Sequence, residues 1–423
     1  MAIACGINFS LAVAEDGVLF SFGGNNHGNL GTGDTDNRWA PKIINVPNSP
    51  VRQVAAGDYH TGIVTEAGDL FMCGWGMFGQ LGLGDHVHDR MLPTLVDRAL
   101  FDGEAVLMVA CSRVHTVVVT ENGGVFTFGR GEFGVLGHGN DEDNLLVPRR
   151  IPAERFNGEL IVMVAVGSEH TVALSEVGHV FTWGEGWSGQ LGLGDSATLM
   201  APQLVNPQMF GGDNVAFVAA GRHHTVAVTV KGRLYTWGSG NALGLGDGGK
   251  YEVPTLLEAS MFEGPVAFDG LVVVMAACGD MHTLVVTQDG GLWACGIGER
   301  HQLGLDSNTN RNLFQRVVVG ESFDQKVVAV AGGGKHSLAV TEDGALWTWG
   351  DGLRGQLGRV DSTSFVPVMV PRNRFGNKLI GRCRQLSYEH KLAFAMCLQE
   401  RLGRNAHLLE LKPELIKMIL DEV

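Results

Sequence analysis

The stretch GWGMFGQLGLGD at residues 74 to 85 sets Gly74, Gly76 and Gly79 in the spacing G-x-G-x-x-G. That spacing lets backbone approach a pyrophosphate where a strand turns into a helix, so dinucleotide binding is the first chemistry to weigh. The continuation, QLGLGDHVHDRMLP, puts Gly, Asp and Pro where the helix would have to begin. Such residues stop helices. The same spacing returns at Gly129, Gly131 and Gly134, at Gly184, Gly186 and Gly189, and at Gly350, Gly352 and Gly355. A cofactor site is not stamped out at intervals of about 55 residues, so these glycines are read as turn architecture and no cofactor is expected.

Histidine is the second candidate for chemistry. One slot of the repeat holds Phe9, His60, His115, His170, His224, His282, His336 and His390, at steps of 51, 55, 55, 54, 58, 54 and 54. Seven histidines in one slot suggest a metal or a catalytic base. One per repeat is equally what a structural unit needs, because an imidazole at a strand start can donate and accept, tying neighbouring backbone groups that burial would leave unpaired. The structural reading is adopted. HVHD at 86 to 89 reads as a solvated loop, and no metal site is expected. The cysteines Cys5, Cys73, Cys111, Cys278, Cys295, Cys383 and Cys397 form no C-x-x-C pair, which fits free thiols in a reducing compartment.

The fullest copies of the unit are VMVAVGSEHTVALSEVGHVFTWGEGWSGQLGLGD and VAFVAAGRHHTVAVTVKGRLYTWGSGNALGLGD. A short apolar strand ends in Gly, two variable residues follow, and His opens an alternating strand. A tight Gly turn leads to a third strand ending in an aromatic residue or Cys. Each strand is about five residues and no helical period intervenes. Phe22, Cys73, Phe128, Trp183, Trp237, Cys295 and Trp349 close the third strands and are expected to form a packed layer between blades, with Cys73 and Cys295 unreactive core. Leu30, Leu81, Leu136, Leu191, Leu243, Leu303 and Leu357 each precede Gly, and Phe101, Phe156, Phe210, Phe262, Phe323 and Phe375 are expected to plug gaps between blades.

The fold predicted is all-β, a seven-bladed β-propeller of four-stranded antiparallel blades with a short C-terminal helix; residues 1–397 form the propeller and 398–423 a helical tail. Eight Gly-x-x-His halves stand against seven turn-plus-third-strand halves. The expected closure runs from residue 16 to about residue 397, with LIGRCRQLSYEHKLAFAMC supplying the last strand pair and MAIACGINFSLAVA surplus; eight blades are the alternative.

These repeats resemble those of the regulator of chromosome condensation family over about 390 of the 423 residues. The resemblance implies the propeller, and it also implies a possible exchange activity toward Ran-type GTPases through acidic and His side chains around the Gly-x-x-His step. The positions here are Asp58 in GDYH, Glu169 in GSEH, His223 in GRHH, Asp280 in GDMH and Glu389 in SYEH. Glu169 stands where the family's exchange factor has Asp, and the doubled His at 223 and 224 falls one blade early. The family's nucleosome binder carries a basic N-terminal tail that is absent here. With 31 basic against 45 acidic residues, a net charge of -14, the global field opposes nucleic acid and anionic membrane. A local basic stretch runs from Arg372 to Arg404 and reads as a solvated edge. The family's plant UV-B receptor uses Trp in GWRHT steps; none of the eight Trp here lies in one, so photoreception is not expected. Trp75 and Trp187 lie in loops after third strands and are candidate binding anchors.

No run of 18 apolar residues exists and the N-terminus has neither a basic start nor a cleavage site, so a soluble intracellular protein, cytoplasmic or nuclear, is expected. The tail LKPELIKMIL has its apolar residues at helical spacing and resembles the opening of an F-box, a helix docked on the propeller being the other reading. The function expected is a protein-protein interaction scaffold that regulates a small GTPase and grips its partner through loops 34–40, 85–92, 140–147, 195–201 and 306–314. A guanine-nucleotide exchange factor is the first alternative and the substrate-recognition part of a ubiquitin ligase the second. No unique nucleophile, base and orienting acid stand out, so no catalytic chemistry is assigned.

Overall fold

The computed structural model describes residues 3–380 apart from 48, 85–87, 140–143, 264–271, 321–324, 361–362, 377 and 379. The chain forms a seven-bladed β-propeller. The blades span residues 3–44, 51–95, 106–150, 161–204, 215–256, 273–317 and 327–369, each an antiparallel meander in chain order. Blade 6 carries one additional strand at its outer edge.

Each blade therefore uses one whole repeat, and this corrects the expected closure. MAIACGINFSLAVA is not surplus: its strands Ile3–Cys5 and Phe9–Val13 are the inner half of blade 1. Ile380 adds a single bridge to Ala14 at the place where the other blades begin their first strand. It also repeats the linker bond made at the other seams, its N–H donating to the Gly344 carbonyl as that of Val327 donates to Gly290. The last Gly-x-x-His half, with Glu389 and His390, and the expected tail helix lie outside the described residues.

The second strand of every blade is buried along its whole length, because it is sandwiched between the blades on both sides. In HTVALS the apolar run 172–174 is flanked by polar residues, of which His170 and Thr171 are buried with hydrogen-bond partners at the seams. The third-strand aromatics Trp183, Trp237 and Trp349 are fully buried, and their indole N–H groups donate to the Val135, Gln190 and Gln302 carbonyls of the preceding blade at 2.8, 2.9 and 2.8 Å. Cys73 and Cys295 stand in the same slot, where each S–H faces the equivalent carbonyl, of Asn29 and Ala242, at 3.7 and 3.3 Å. Burial pushes the Cys73 thiol up to about 12.

The repeated Leu-Gly lies over these residues. A Cβ on Gly192 would sit 2.7 Å from the Trp237 ring nitrogen, and one on Gly358 would sit 3.0 Å from the Phe22 ring, so the contact that joins neighbouring blades also joins blade 7 to blade 1. The linker phenylalanines Phe101, Phe156, Phe210 and Phe375 end 3-10 turns and meet the third strand of the next blade edge-on. The glycine spacing of the opening motif is turn geometry: Gly79, Gly134, Gly189 and Gly355 all have positive φ, between 70° and 90°.

Candidate functional site

The repeated histidines position one face of the disc. Six seams share one arrangement. The Nε2 atoms of His60, His115, His170, His224, His282 and His336 lie 2.8–3.1 Å from the hydroxyls of Thr116, Thr171, Thr225, Thr283, Ser337 and Ser10, each on the next blade. Each hydroxyl donates its own hydrogen to a loop carbonyl, as Thr116 does to Gln80 at 2.8 Å. The hydroxyl can then only accept from the imidazole, so Nε2 carries the proton and Nδ1 is bare. The tie is thus between blades and through hydroxyls, not between neighbouring backbone groups as the sequence suggested. Burial drives all six pKa values down to about 3, so the rings are neutral. In blade 3 Ser112 replaces the usual Gly, and its hydroxyl lies 2.7 Å from His115 Nδ1.

The two residues between Gly and His project onto this face around the axis. Asp58, Arg113, Ser168, Arg222 and Asp280 surround an axial cavity of about 90 Å³. The backbone steps are laced from blade to blade: Asp58 N–H donates to Ser112 O at 3.2 Å, Arg222 to Asp280 O at 3.0 Å and Asp280 to Gly333 O at 3.2 Å. Burial and then the neighbouring Asp280 push the Asp58 carboxyl up to about 6, against the pull of Arg113 and Arg222. Asp280 is raised by burial, opposed by Arg222 and Lys335. The Arg113 guanidinium lies 3.9 Å from Asp58.

Of the residues singled out from sequence, Asp58, Glu169, His223 and Asp280 share this face. Burial raises Glu169, opposed by Arg130 and Arg113 and assisted by Glu185. His223 is held below its ordinary value by burial and Arg222, with Nδ1 3.9 Å from Glu185. Trp75 is half-buried in an edge-to-face group with Tyr59 at 5.9 Å and Phe78 at 5.2 Å, and Arg130 covers the Phe78 ring at 5.4 Å. Trp187 is 62% exposed and leans on Phe133 at 5.5 Å. Phe133 has φ 60°, a left-handed conformation costly for a bulky side chain. The sequence reading missed the basic half of the face, Arg113, Arg130, Arg222 and Lys335. The signal was available, since Arg113, Arg222 and Lys335 occupy the same two variable positions as the acids.

Elsewhere, Asp89 of HVHD pairs with His27 at 2.9 Å, and no group of three or more His, Cys, Asp or Glu among the described residues is arranged to hold a metal. Within the basic stretch, Arg372 pairs with Asp343 at 2.8 Å and Lys378 with Asp16; the remainder lies outside the described residues. No helix among the described residues is long and apolar enough to cross a membrane.

Comparison with known proteins agrees with this geometry. Residues 89–396 match the RCC1-like domain and residues 16–64 the regulator of chromosome condensation repeat. The chain is 36% identical to the ultraviolet-B receptor UVR8 of Arabidopsis thaliana over 362 residues, covering 85% of this chain and 78% of that protein. It is 30% identical over 357 residues to the human E3 ubiquitin-protein ligase HERC2, covering 83% of this chain but 7% of the ligase. Yeast RCC1 (Prp20), solved bound to Kap60, superposes with a TM-score of 0.71 at 23% identity, covering 88% of each chain. With six interblade histidines, the Leu-Gly contacts and these similarities together, the chain belongs to the regulator of chromosome condensation (RCC1) repeat family.

Proposed function

We propose that the chain is a protein-binding scaffold whose Gly-x-x-His face grips a small GTPase. The observation that supports this most is the pairing of opposite charges and aromatic anchors on one rigid face. Asp58, Arg113, Arg222 and Asp280 lie at the axis, with the Trp75 group and the exposed Trp187 around them. Mixed charge sets the orientation of an encounter, and aromatic residues supply its buried anchors.

Nucleotide exchange toward a Ran-type GTPase is the second reading. It draws on Glu169 and His223 both facing Glu185, where they could compete for the cationic contacts that hold a phosphate. The similarity to HERC2 covers a small part of that ligase, so it supports recognition rather than transfer. The similarity to a UV-B receptor is not carried over, because Asp58, Arg113, Ser168, Arg222, Asp280 and Gly334 fill the step where that reading needs Trp.

The test is complex formation with a Ran-type GTPase together with release of its fluorescent GDP analogue. Binding without faster release is the expected result. Acceleration that is lost in Glu169→Ala and His223→Ala would replace the scaffold reading by exchange. The absence of both binding and acceleration would overturn the choice of partner.

A further inference from the structure

Six of the seven outer strands carry proline at one register, three residues past the partner of the glycine that ends the third strand. These are Pro41, Pro93, Pro148, Pro202, Pro254 and Pro367. Blade 6 has Phe314 there instead. Proline lacks the N–H that a ladder needs and is one of the ways edge strands are kept from pairing with other chains. At the one edge without it, a strand has been added. Phe262–Glu263 lies parallel to the outer strand Arg311–Val317, Phe262 opposite Phe314 and Glu263 opposite Gln315.

The side chains state what this edge selects. The Phe262 and Phe314 rings stack at 5.0 Å, and Phe262 meets Trp293 edge-on at 5.6 Å. Arg311 Nε donates to Gln315 Oε1 at 2.7 Å, which turns the Gln315 amide N–H outward, where it donates to Glu263 Oε2 at 2.9 Å. Arg311 and Arg316 flank that position on the same strand. An aromatic ring followed by a carboxylate is therefore the complementary chemistry. The resident strand is two residues long, well below the usual length of five or six, so its own ladder holds it weakly.

We propose that the outer edge of blade 6 is a strand-addition site for an extended segment of a partner protein in which an aromatic residue precedes an acidic one, and that Phe262–Glu263 is a resident strand which that segment displaces. Main-chain bonds to the edge supply affinity, and the Phe314–Trp293 surface and the Gln315 amide supply selection. This surface is independent of the Gly-x-x-His face.

The probe is a labelled peptide of residues 259–265, ASMFEGP, titrated into the full chain by fluorescence anisotropy. Phe262→Gly with Glu263→Gly, which vacates the edge, is expected to bind it at least about tenfold more tightly than the unaltered chain, a difference of about 1.4 kcal/mol. Glu263→Lys alone, at an exposed position, is expected to move binding in the same direction without opening the aromatic contact. Peptides with Phe changed to Ala or Glu changed to Lys should lose the gain. Adding Phe314→Pro to the vacated variant should abolish binding; because the Phe314 ring is fully buried, its loss is expected to lower the circular-dichroism melt, so binding is read at a temperature where the melt shows the chain folded. Absence of binding by both folded variants, or equal binding by the Phe314→Pro chain, would overturn the proposal. So would self-association of the vacated chain through this edge, which would assign it to a second copy.

Discussion

The seam between blades 1 and 2 differs from the other six in one residue, and the difference separates what the repeated histidine does from what the ring requires. At six seams an imidazole reaches across to a hydroxyl, and in His60, His170, His282 and His336 this leaves a buried Nδ1 without a partner. At the remaining seam Phe9 fills the slot, and Thr61 of blade 2 still donates to the Asn29 carbonyl at 2.7 Å. No polar group is orphaned by the exchange. The ring can close with an apolar side chain of similar shape, so the histidines add register and direction to a contact whose main energy is packing.

Acid should break the comparison most strongly. The six histidines titrate near 3 in the native state against 6.5 when free. Below pH 6.5 the unfolded chain takes up protons that the native chain refuses, so stability is complete above that pH and falls as pH drops toward 3. Each histidine contributes a slope of up to about 1.4 kcal/mol per pH unit. Asp58, raised to about 6, acts in the opposite sense, because its buried charge costs stability above that pH and protonation relieves the cost. Asp280, Glu169 and Glu176, also raised by burial, act in the same sense as Asp58, and four carboxyls against six histidines do not reverse the sign. Urea midpoints followed by circular dichroism should fall steeply between pH 6 and pH 4, and His170→Phe should flatten the fall by one histidine's share.

Removing volume at an ordinary seam is the next largest effect. His170→Ala is expected to cost about 2–4 kcal/mol at pH 8, whereas His170→Phe, which copies the Phe9 seam, should cost about 1 kcal/mol or less. Equal losses in denaturant titration would mean that the hydrogen bond, rather than filling of the slot, holds the seam. The glycine of the same step gives a smaller effect. A Cβ on Gly167 would lie 2.2 Å from the His170 ring and 2.4 Å from Gly221 O, so Gly167→Ala should cost about 2 kcal/mol. Gly167→Ser should recover about 1 kcal/mol of that, as Ser112 does in blade 3 by meeting Nδ1. The smallest effect is Phe9→His, which adds a partner for Thr61 and a new buried Nδ1. Its stability should change by less than about 1 kcal/mol, read from the same midpoints.

Much of the fold was legible because the repeat states its own logic. A turn glycine must recur where φ is positive, and a strand buried on both faces must be apolar or hydrogen-bonded at every position, so the strand content could be read from one aligned unit and the blade count from the number of its copies. The candidate face was half legible. Asp58, Glu169, His223 and Asp280 stood out through their chemistry, while Arg113 and Arg222 in the same slots did not, because a charge declares its partner only when the blades are set around an axis. Trp75 and Trp187 occupy matching loops, yet one is half-buried among Tyr59 and Phe78 and the other is exposed.

The sequence by itself determined the repeat, its strands, its turns and the residues that face neighbouring blades, because these depend on local backbone geometry and on burial that recurs every unit. Only the tertiary structure decided which terminus fills blade 1. Eight similar halves compete for seven places, and the choice rests on register against Phe9–Val13 and on the Ser10 contact with His336, 326 residues away. It likewise decided that the edge of blade 6 is open to a strand, since one missing proline acquires meaning only when seven outer strands are laid in the same register.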